Sequence, residues 1–208
     1  MKIEVRDIVK SFKEKTLFDE FDLIVRDKDC LCLFGQKGVG KTTFLMMLGL
    51  IEAPDKGEIL YNDNSVRNDK EKRKYLSKHI GFILEDLGLL SNDSIYKNML
   101  VVSRFSKSSK ESKSNILAEA LEFVGLSGKE NIKIKELTYF EKYLTMIAKM
   151  IVKDADVIFI DEPTLNLNPE ETSTILDLIS RLNKMNKTIV IASEDESVKR
   201  ICNRIVSI

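Results

Sequence analysis

The segment GQKGVGKT, Gly35 to Thr42, fits the pattern G-x-x-x-x-G-K-[ST], a spacing suited to holding phosphate. Across Gly35, Gln36, Lys37, Gly38, Val39 and Gly40, the glycines let backbone N–H groups turn inward around phosphate oxygens. A helix that follows presents its N-terminus to the same anion. Lys41 is then placed to reach the terminal phosphates, and the Thr42 hydroxyl to ligate Mg²⁺. Three of the nine glycines fall in this one loop, so glycine is concentrated where the chemistry needs it. A second segment, VIFIDEP, sets an apolar run before Asp161 and Glu162. Asp161 suits the Mg²⁺ shell, and Glu162 suits orienting or deprotonating a water that attacks a γ-phosphate. Together the two segments specify an Mg²⁺-nucleotide site.

Such a site needs buried strands to carry it. DCLCLFG, HIGFIL, DVIFID and TIVIAS are apolar on both faces, as strands of a parallel sheet covered by helices must be. Helical patterns lie between them, which predicts an α/β core. Residues 2–10, FDLIV from Phe21 and GEILY from Gly57 read instead as short strands of a half-solvated antiparallel sheet at the N-terminal end. From Ser91 to Lys135 the texture is helical, with Gly125 as a C-cap, and reads as an inserted helical lobe. SRFSKSSKESKSN within it predicts a solvated loop or helix start. ELTYFEKYLTMIAKM, Glu136 to Met150, is an amphipathic helix opened by a Thr138–Glu141 capping box, with Phe140, Leu144, Ile147 and Ile151 on one face.

At 208 residues the chain is long enough for one globular unit with a real core. Lysine plus arginine and aspartate plus glutamate both number 33, so net charge gives no pull toward nucleic acid, and no such partner is expected. The N-terminus MKIEVRDIVK has no apolar signal core, and FLMMLGLI is too short to span a bilayer, which predicts a cytosolic chain whose membrane role needs a partner. Cys30 and Cys32, two apart on a strand, read as small buried apolar residues, and with Cys202 they fit a reducing compartment. His79 reads as a surface or strand-edge residue without a partner cluster.

Over essentially its whole length the sequence resembles the ATP-binding cassette (ABC) family. DIVKSF resembles the adenine-stacking segment with Phe12 as its aromatic, GQKGVGKTT the phosphate loop through Thr43, and HIGFILEDLGLL the glutamine loop. DEPTLNLNPE resembles the acidic strand end and D-loop, and TIVIASEDES stands where the switch-histidine strand belongs. The resemblance implies a single ATPase domain over residues 1–208. Its fold would be α/β, a P-loop NTPase core with a mainly parallel sheet, an N-terminal antiparallel β subdomain and a helical subdomain inserted at about residues 91–150. It also implies ATP and Mg²⁺ as ligands, dimerisation with a like or unlike cassette, and a membrane permease that holds the chain on the inner face of the plasma membrane.

Several positions depart from the family pattern. ELTYFEKYL fills the slot of the LSGGQ signature, with Thr138 for serine and Tyr139 and Phe140 for the two glycines, so a cross-subunit contact from Thr138 to ATP is expected to be weakened. Glu85 replaces the glutamine that ligates Mg²⁺, and its carboxylate suits the same metal. Glu194 replaces the switch histidine and puts an anion near the γ-phosphate. Like charges at roughly 4 Å repel by about 4 kcal/mol at an effective dielectric near 20, which predicts slow turnover unless Glu194 is protonated or turned away. Asn168 stands at the D-loop aspartate position. The texture of IGFILEDLGLLSNDSIYKNM resembles cassettes of the macrolide-export and lipoprotein-release type, which implies an exporter. The alternative implied by Glu194 and the altered signature is an ATP-gated dimerisation clamp or regulatory subunit with little hydrolysis.

Overall fold

The computed structural model describes residues 1–12, 15–66, 68–86, 88–105 and 110–208, the side chains of 110–113 excepted. Part of the serine- and lysine-rich segment after Ser103, and Leu87 of the glutamine loop, therefore lie outside the described residues.

The N-terminal strands β1 (Ile3–Phe12) and β2 (Lys15–Val25) pair antiparallel, with Phe12 opposite Lys15. Next come β3 (Cys30–Phe34), helix α1 (Lys41–Leu48), and β4 (Lys56–Tyr61) with the short β5 (Asn64–Ser65). Strand β4 pairs antiparallel with β1, completing a sheet in the order β2-β1-β4-β5. Helix α2 (Asp69–Lys78) leads to β6 (Ile80–Ile83), and α3 (Ile95–Ser103), α4 (Lys110–Phe123) and α5 (Tyr139–Lys153) follow. The chain ends with β7 (Val157–Asp161), α6 (Pro169–Lys184), β8 (Thr188–Ser193), a 3-10 turn over Glu196–Ile201, and β9 (Arg204–Ser207). The second sheet has the order β6-β7-β8-β3-β9 and every pairing in it is parallel.

Two faces of this parallel sheet are filled by alternate residues, as strand geometry requires. Leu31, Leu33, Val157, Phe159, Val190 and Ala192 pack with α1 and the antiparallel sheet. Cys30, Cys32, Ile158, Ile160, Ile189 and Ile191 pack with α5 and α6 on the other face. Phe44 of α1 meets Phe18 and Phe21 of β2 at ring-centroid distances of 5.0 and 5.2 Å, which fixes the antiparallel sheet over the start of α1. That contact sets where Phe12 stands relative to the loop between β3 and α1.

The helical region is built as the periodicity predicts. Helices α3 and α4 pack on α5, and Gly125 ends α4's turn at φ 74°. The capping box at Thr138 is complete: its hydroxyl accepts the Glu141 N–H at 3.2 Å, and the Glu141 carboxylate accepts the Thr138 N–H at 2.9 Å. Leu144 and Ile147 are buried, with Phe140 and Ile151 packed partly against the same core. Among the described residues no helix is long and apolar enough to cross a membrane.

The structure adds detail to two small readings. His79, at the end of α2 beside the start of β6, has a single acidic partner rather than a cluster, its Nδ1 lying 2.5 Å from Asp156 Oδ2. Cys30 and Cys32 are buried as expected, and Cys202 joins them with its Sγ 3.6 Å from that of Cys30.

Ile160 is fully buried one residue before Asp161. Ile160→Ala is expected to cost about 2–5 kcal/mol in urea denaturation, the range for truncating a buried isoleucine. A change below about 0.5 kcal/mol, the scatter of surface substitutions, would show that the strand carrying the acidic pair is not locked by packing.

Candidate functional site

The order β7-β8-β3 puts three strand ends side by side at the carboxyl edge of the parallel sheet, where open α/β sheets place their ligands. β7 delivers Asp161 and Glu162, β8 delivers Ser193 and Glu194, and β3 delivers the glycine loop. Backbone bonds align them: the Glu162 N–H donates to Ala192 O at 2.9 Å and the Gly35 N–H to Ser193 O at 3.3 Å. Gly35 has no room for a side chain, because a Cβ would stand 2.5 Å from the Ile208 carbonyl. Gly40 caps α1 at φ 111°, a left-handed conformation that glycine adopts without penalty. The first turn of α1 receives no side-chain cap, so its N–H groups point toward the loop unclaimed by a neighbouring side chain.

Inside this frame the Thr42 hydroxyl donates to Asp161 Oδ2 at 2.7 Å. Asp161 is 8% exposed, and its other oxygen, Oδ1, is buried without a hydrogen-bond partner. A buried carboxylate oxygen left open costs free energy unless something fills its place. A divalent cation held also by the Thr42 hydroxyl meets that need, so the residues fit Mg²⁺. Among the described residues no three His, Cys, Asp or Glu side chains converge as a metal site. Burial raises the Asp161 carboxyl above the ordinary range, the Thr42 hydroxyl opposes the shift, and the Glu162 charge adds to it.

Lys41 is 5% exposed and folds back on its own loop, donating to Gly35 O at 2.7 Å and Gln36 O at 3.1 Å. Its ammonium also lies 3.2 Å from Glu162 Oε1. The other oxygen of Glu162 accepts the Ser193 hydroxyl at 3.1 Å and the Glu194 N–H at 3.3 Å. Glu162 sits at φ 42°, a left-handed conformation for a non-glycine residue, and these contacts hold it there.

Of the residues singled out in the sequence, Phe12, Lys41, Thr42, Asp161, Glu162 and Glu194 line one open cleft of about 450 Å³, with Glu85 exposed on its rim. Lys37, Gly38, Gly40 and Thr43 complete its floor. Phe12 is 65% exposed at the edge of this cleft. Gly35, Gln36 and Val39 shape the loop without lining the cleft, and Thr138 lies outside it at the exposed start of α5.

The chain carries the sequence marks of one family. A profile described as ABC transporter matches residues 18–165. The chain belongs to the ABC transporter family. The cassette is 32% identical to the methionine import ATP-binding protein MetN of Clostridium tetani (strain Massachusetts / E88), over 99% of this chain and 66% of that protein. It is 30% identical to the L-cystine transport system ATP-binding protein TcyN of Escherichia coli (strain K12), over 95% of this chain and 82% of that protein. The cassette spans somewhat less than two thirds of the methionine-import relatives, 66% and 62% of two of them. Among solved structures, the dimeric bacterial ABC transporter cassette MJ0796 superposes with a TM-score of 0.88 at 24% identity, over 99% of this chain and 94% of that one. The cbiO1 subunit of Clostridium perfringens does so with a TM-score of 0.88 at 23% identity, over 99% and 83%. These two establish likeness of fold. Relatives named for methionine import do not support the export direction that the IGFILEDLGLL texture implies.

The structure also shows what the motifs alone could not. Tyr139 and Phe140, the bulky residues at the signature position, pack partly against the core, and Thr138 is left exposed ahead of them. Burial raises the Tyr139 hydroxyl above its ordinary value, and Asn166 in the D-loop of the same chain lies close enough to oppose that shift. Asn168 accepts the Glu170 and Glu171 N–H groups at 3.0 and 2.9 Å and so caps α6. Tyr143 on α5 has a fully buried hydroxyl without a partner, within electrostatic reach of Asp161. No motif pointed to Tyr143, whose spacing reads as helix core.

The raised Asp161 carboxyl has a stability consequence. The folded chain holds this proton more tightly than the unfolded one, so the penalty is absent below the ordinary carboxylate range and grows as pH rises through the folded value. Asp161→Asn keeps an acceptor for Thr42 without the charge. It is expected to raise the melting temperature of the nucleotide-free protein at pH 7 by about 2–4 °C per kcal/mol recovered, with the gain shrinking toward pH 4. A lower melting temperature for the variant at pH 7 would contradict it.

Proposed function

We propose that the cassette is the Mg²⁺-dependent ATP-hydrolysing subunit of a membrane transporter, working as a dimer against a separate permease. The observation that carries this is the Thr42–Asp161 hydrogen bond with an open Asp161 oxygen beside Lys41, in a cleft floored by the glycine loop. Bound Mg²⁺ would neutralise phosphate charge, with Thr42, Asp161 and Glu85 as its protein ligands. The loop N–H groups and Lys41 hold the phosphates, Phe12 stacks on the base, and Glu162 orients the attacking water. Thr138 is exposed at the N-terminus of α5 with its hydroxyl and N–H engaged by Glu141, and would meet a neighbouring cassette from there. Its helix dipole survives the loss of the signature glycines.

The chain is taken as one ATPase unit over residues 1–208, with residues 91–150 as its inserted helical part. Tyr96, Leu100, Val101 and Phe105 leave apolar surface exposed there, which supports docking of a permease and a peripheral place on the cytoplasmic side of the membrane. The methionine-import and L-cystine-transport relatives support uptake of a small solute over export.

A second reading keeps the same site but not the turnover: an ATP-gated clamp. It is favoured by the Glu194 carboxylate, which lies against the phosphate loop instead of supplying a donor to phosphate. Phosphate release with Mg²⁺-ATP, measured with the permease present, separates the two. For the ATPase, Glu162→Gln is expected to lower release about 100-fold or more while ATP still binds. Tight ATP binding by the unaltered protein without any release would instead establish the clamp.

A further inference from the structure

Residue 194 faces two ways at the end of β8. Its backbone N–H donates to Glu162 Oε2 at 3.3 Å, beside the Ser193 hydroxyl on the same oxygen. Its side chain turns toward the phosphate loop, where Glu194 Oε2 accepts the Lys37 N–H at 3.0 Å. The Lys41 ammonium, the other donor at this end of the loop, is occupied by Gly35 O, Gln36 O and Glu162. The chain's own carboxylates therefore sit on donors that a terminal phosphate would use. At the opposite end, the first-turn N–H groups of α1 have no side-chain cap and stay open to the phosphates nearer the base.

We propose that Glu194 selects nucleotides by phosphate number: its carboxylate stands in for a terminal phosphate at the Lys37 N–H, so the resting cassette favours a nucleoside diphosphate over a triphosphate. A diphosphate seats on the helix N-terminus and leaves the Glu194–Lys37 bond intact. A triphosphate must break that bond and bring its last phosphate up to a carboxylate of the same sign. Glu194 is exposed, so the barrier is competition for a donor and charge repulsion rather than a steric plug. The proposal rests on the nucleotide-site reading above and adds an order of preference to it.

The backbone contacts of residue 194 to Glu162 do not depend on its side chain, so substitutions there isolate the carboxylate. Binding of ADP and of the β,γ-imido analogue of ATP, each with Mg²⁺, is measured by calorimetry on the wild-type protein, Glu194→Gln and Glu194→Ala. Glu194→Ala is expected to tighten the triphosphate analogue about tenfold relative to ADP, the worth of one charge-assisted hydrogen bond, with Glu194→Gln shifting the ratio the same way by less. ADP affinity should barely change. Binding of both nucleotides with an unchanged ratio in both variants overturns the selector and leaves the nucleotide site standing. Failure of the wild-type protein to bind either nucleotide overturns both.

Discussion

One hydrogen bond ties the site together: the Thr42 hydroxyl on Asp161, between the first turn of α1 and the end of β7. These residues are distant in sequence and belong to strands that do not pair, since β8 lies between β3 and β7. The bond forms only if the parallel sheet has the right order and register and α1 lies over it at the right height. The apolar alternation of β3, β7 and β8 fixes the first condition, and the Phe18–Phe44–Phe21 contacts support the second. The loop conformation, the placement of Lys41 and the open Asp161 oxygen depend on that assembly.

The electrostatics around this bond are those of a site awaiting a highly charged ligand. Asp161 is buried with an unfilled oxygen, Glu162 is held in a left-handed conformation, and Lys41 is turned onto its own loop. The open Asp161 oxygen and the left-handed Glu162 each cost folding free energy, whereas the Lys41 ammonium is satisfied by two loop carbonyls and Glu162. The altered positions follow the same logic. Glu194, expected from its charge to repel a nucleotide, has found a donor in the loop, so its influence reaches the site before any ligand arrives. The aromatic pair at the signature position has moved partly into the core, which leaves the N-terminus of α5 exposed.

Much of this was legible in the sequence, and what was not shares a cause. The glycine loop, the acidic strand end and the buried strands announce themselves through local spacing and apolar pattern, and the capping box at Thr138 is written within four residues. Strand order is not local. Nothing in TIVIAS says that β8 lies between the other two strands, so only the family resemblance placed Glu194 near the phosphates, and its bond to Lys37, 157 positions away, came from the structure. β9, with alternating half-exposed residues at the sheet edge, lacks the two-faced apolar signature that identified its neighbours. The pairing of His79 with Asp156 and the approach of Cys202 to Cys30 are likewise products of tertiary neighbourhood. For Tyr139 and Phe140 the resemblance gave the position, but only packing decides which way a side chain points.

The claim that joins these parts is that Thr42 and Asp161 form one half of a metal site completed by nucleotide phosphate. It is tested most directly by the Mg²⁺ dependence of ATP affinity, measured by titration with the metal present and with it chelated, in the wild-type protein and in Thr42→Val. The account predicts that Mg²⁺ tightens ATP binding about tenfold or more in the wild type, the worth of a charge-assisted contact, and that most of this gain disappears in Thr42→Val. An ATP affinity indifferent to Mg²⁺ in the wild type, or a gain that survives intact in the variant, would contradict it.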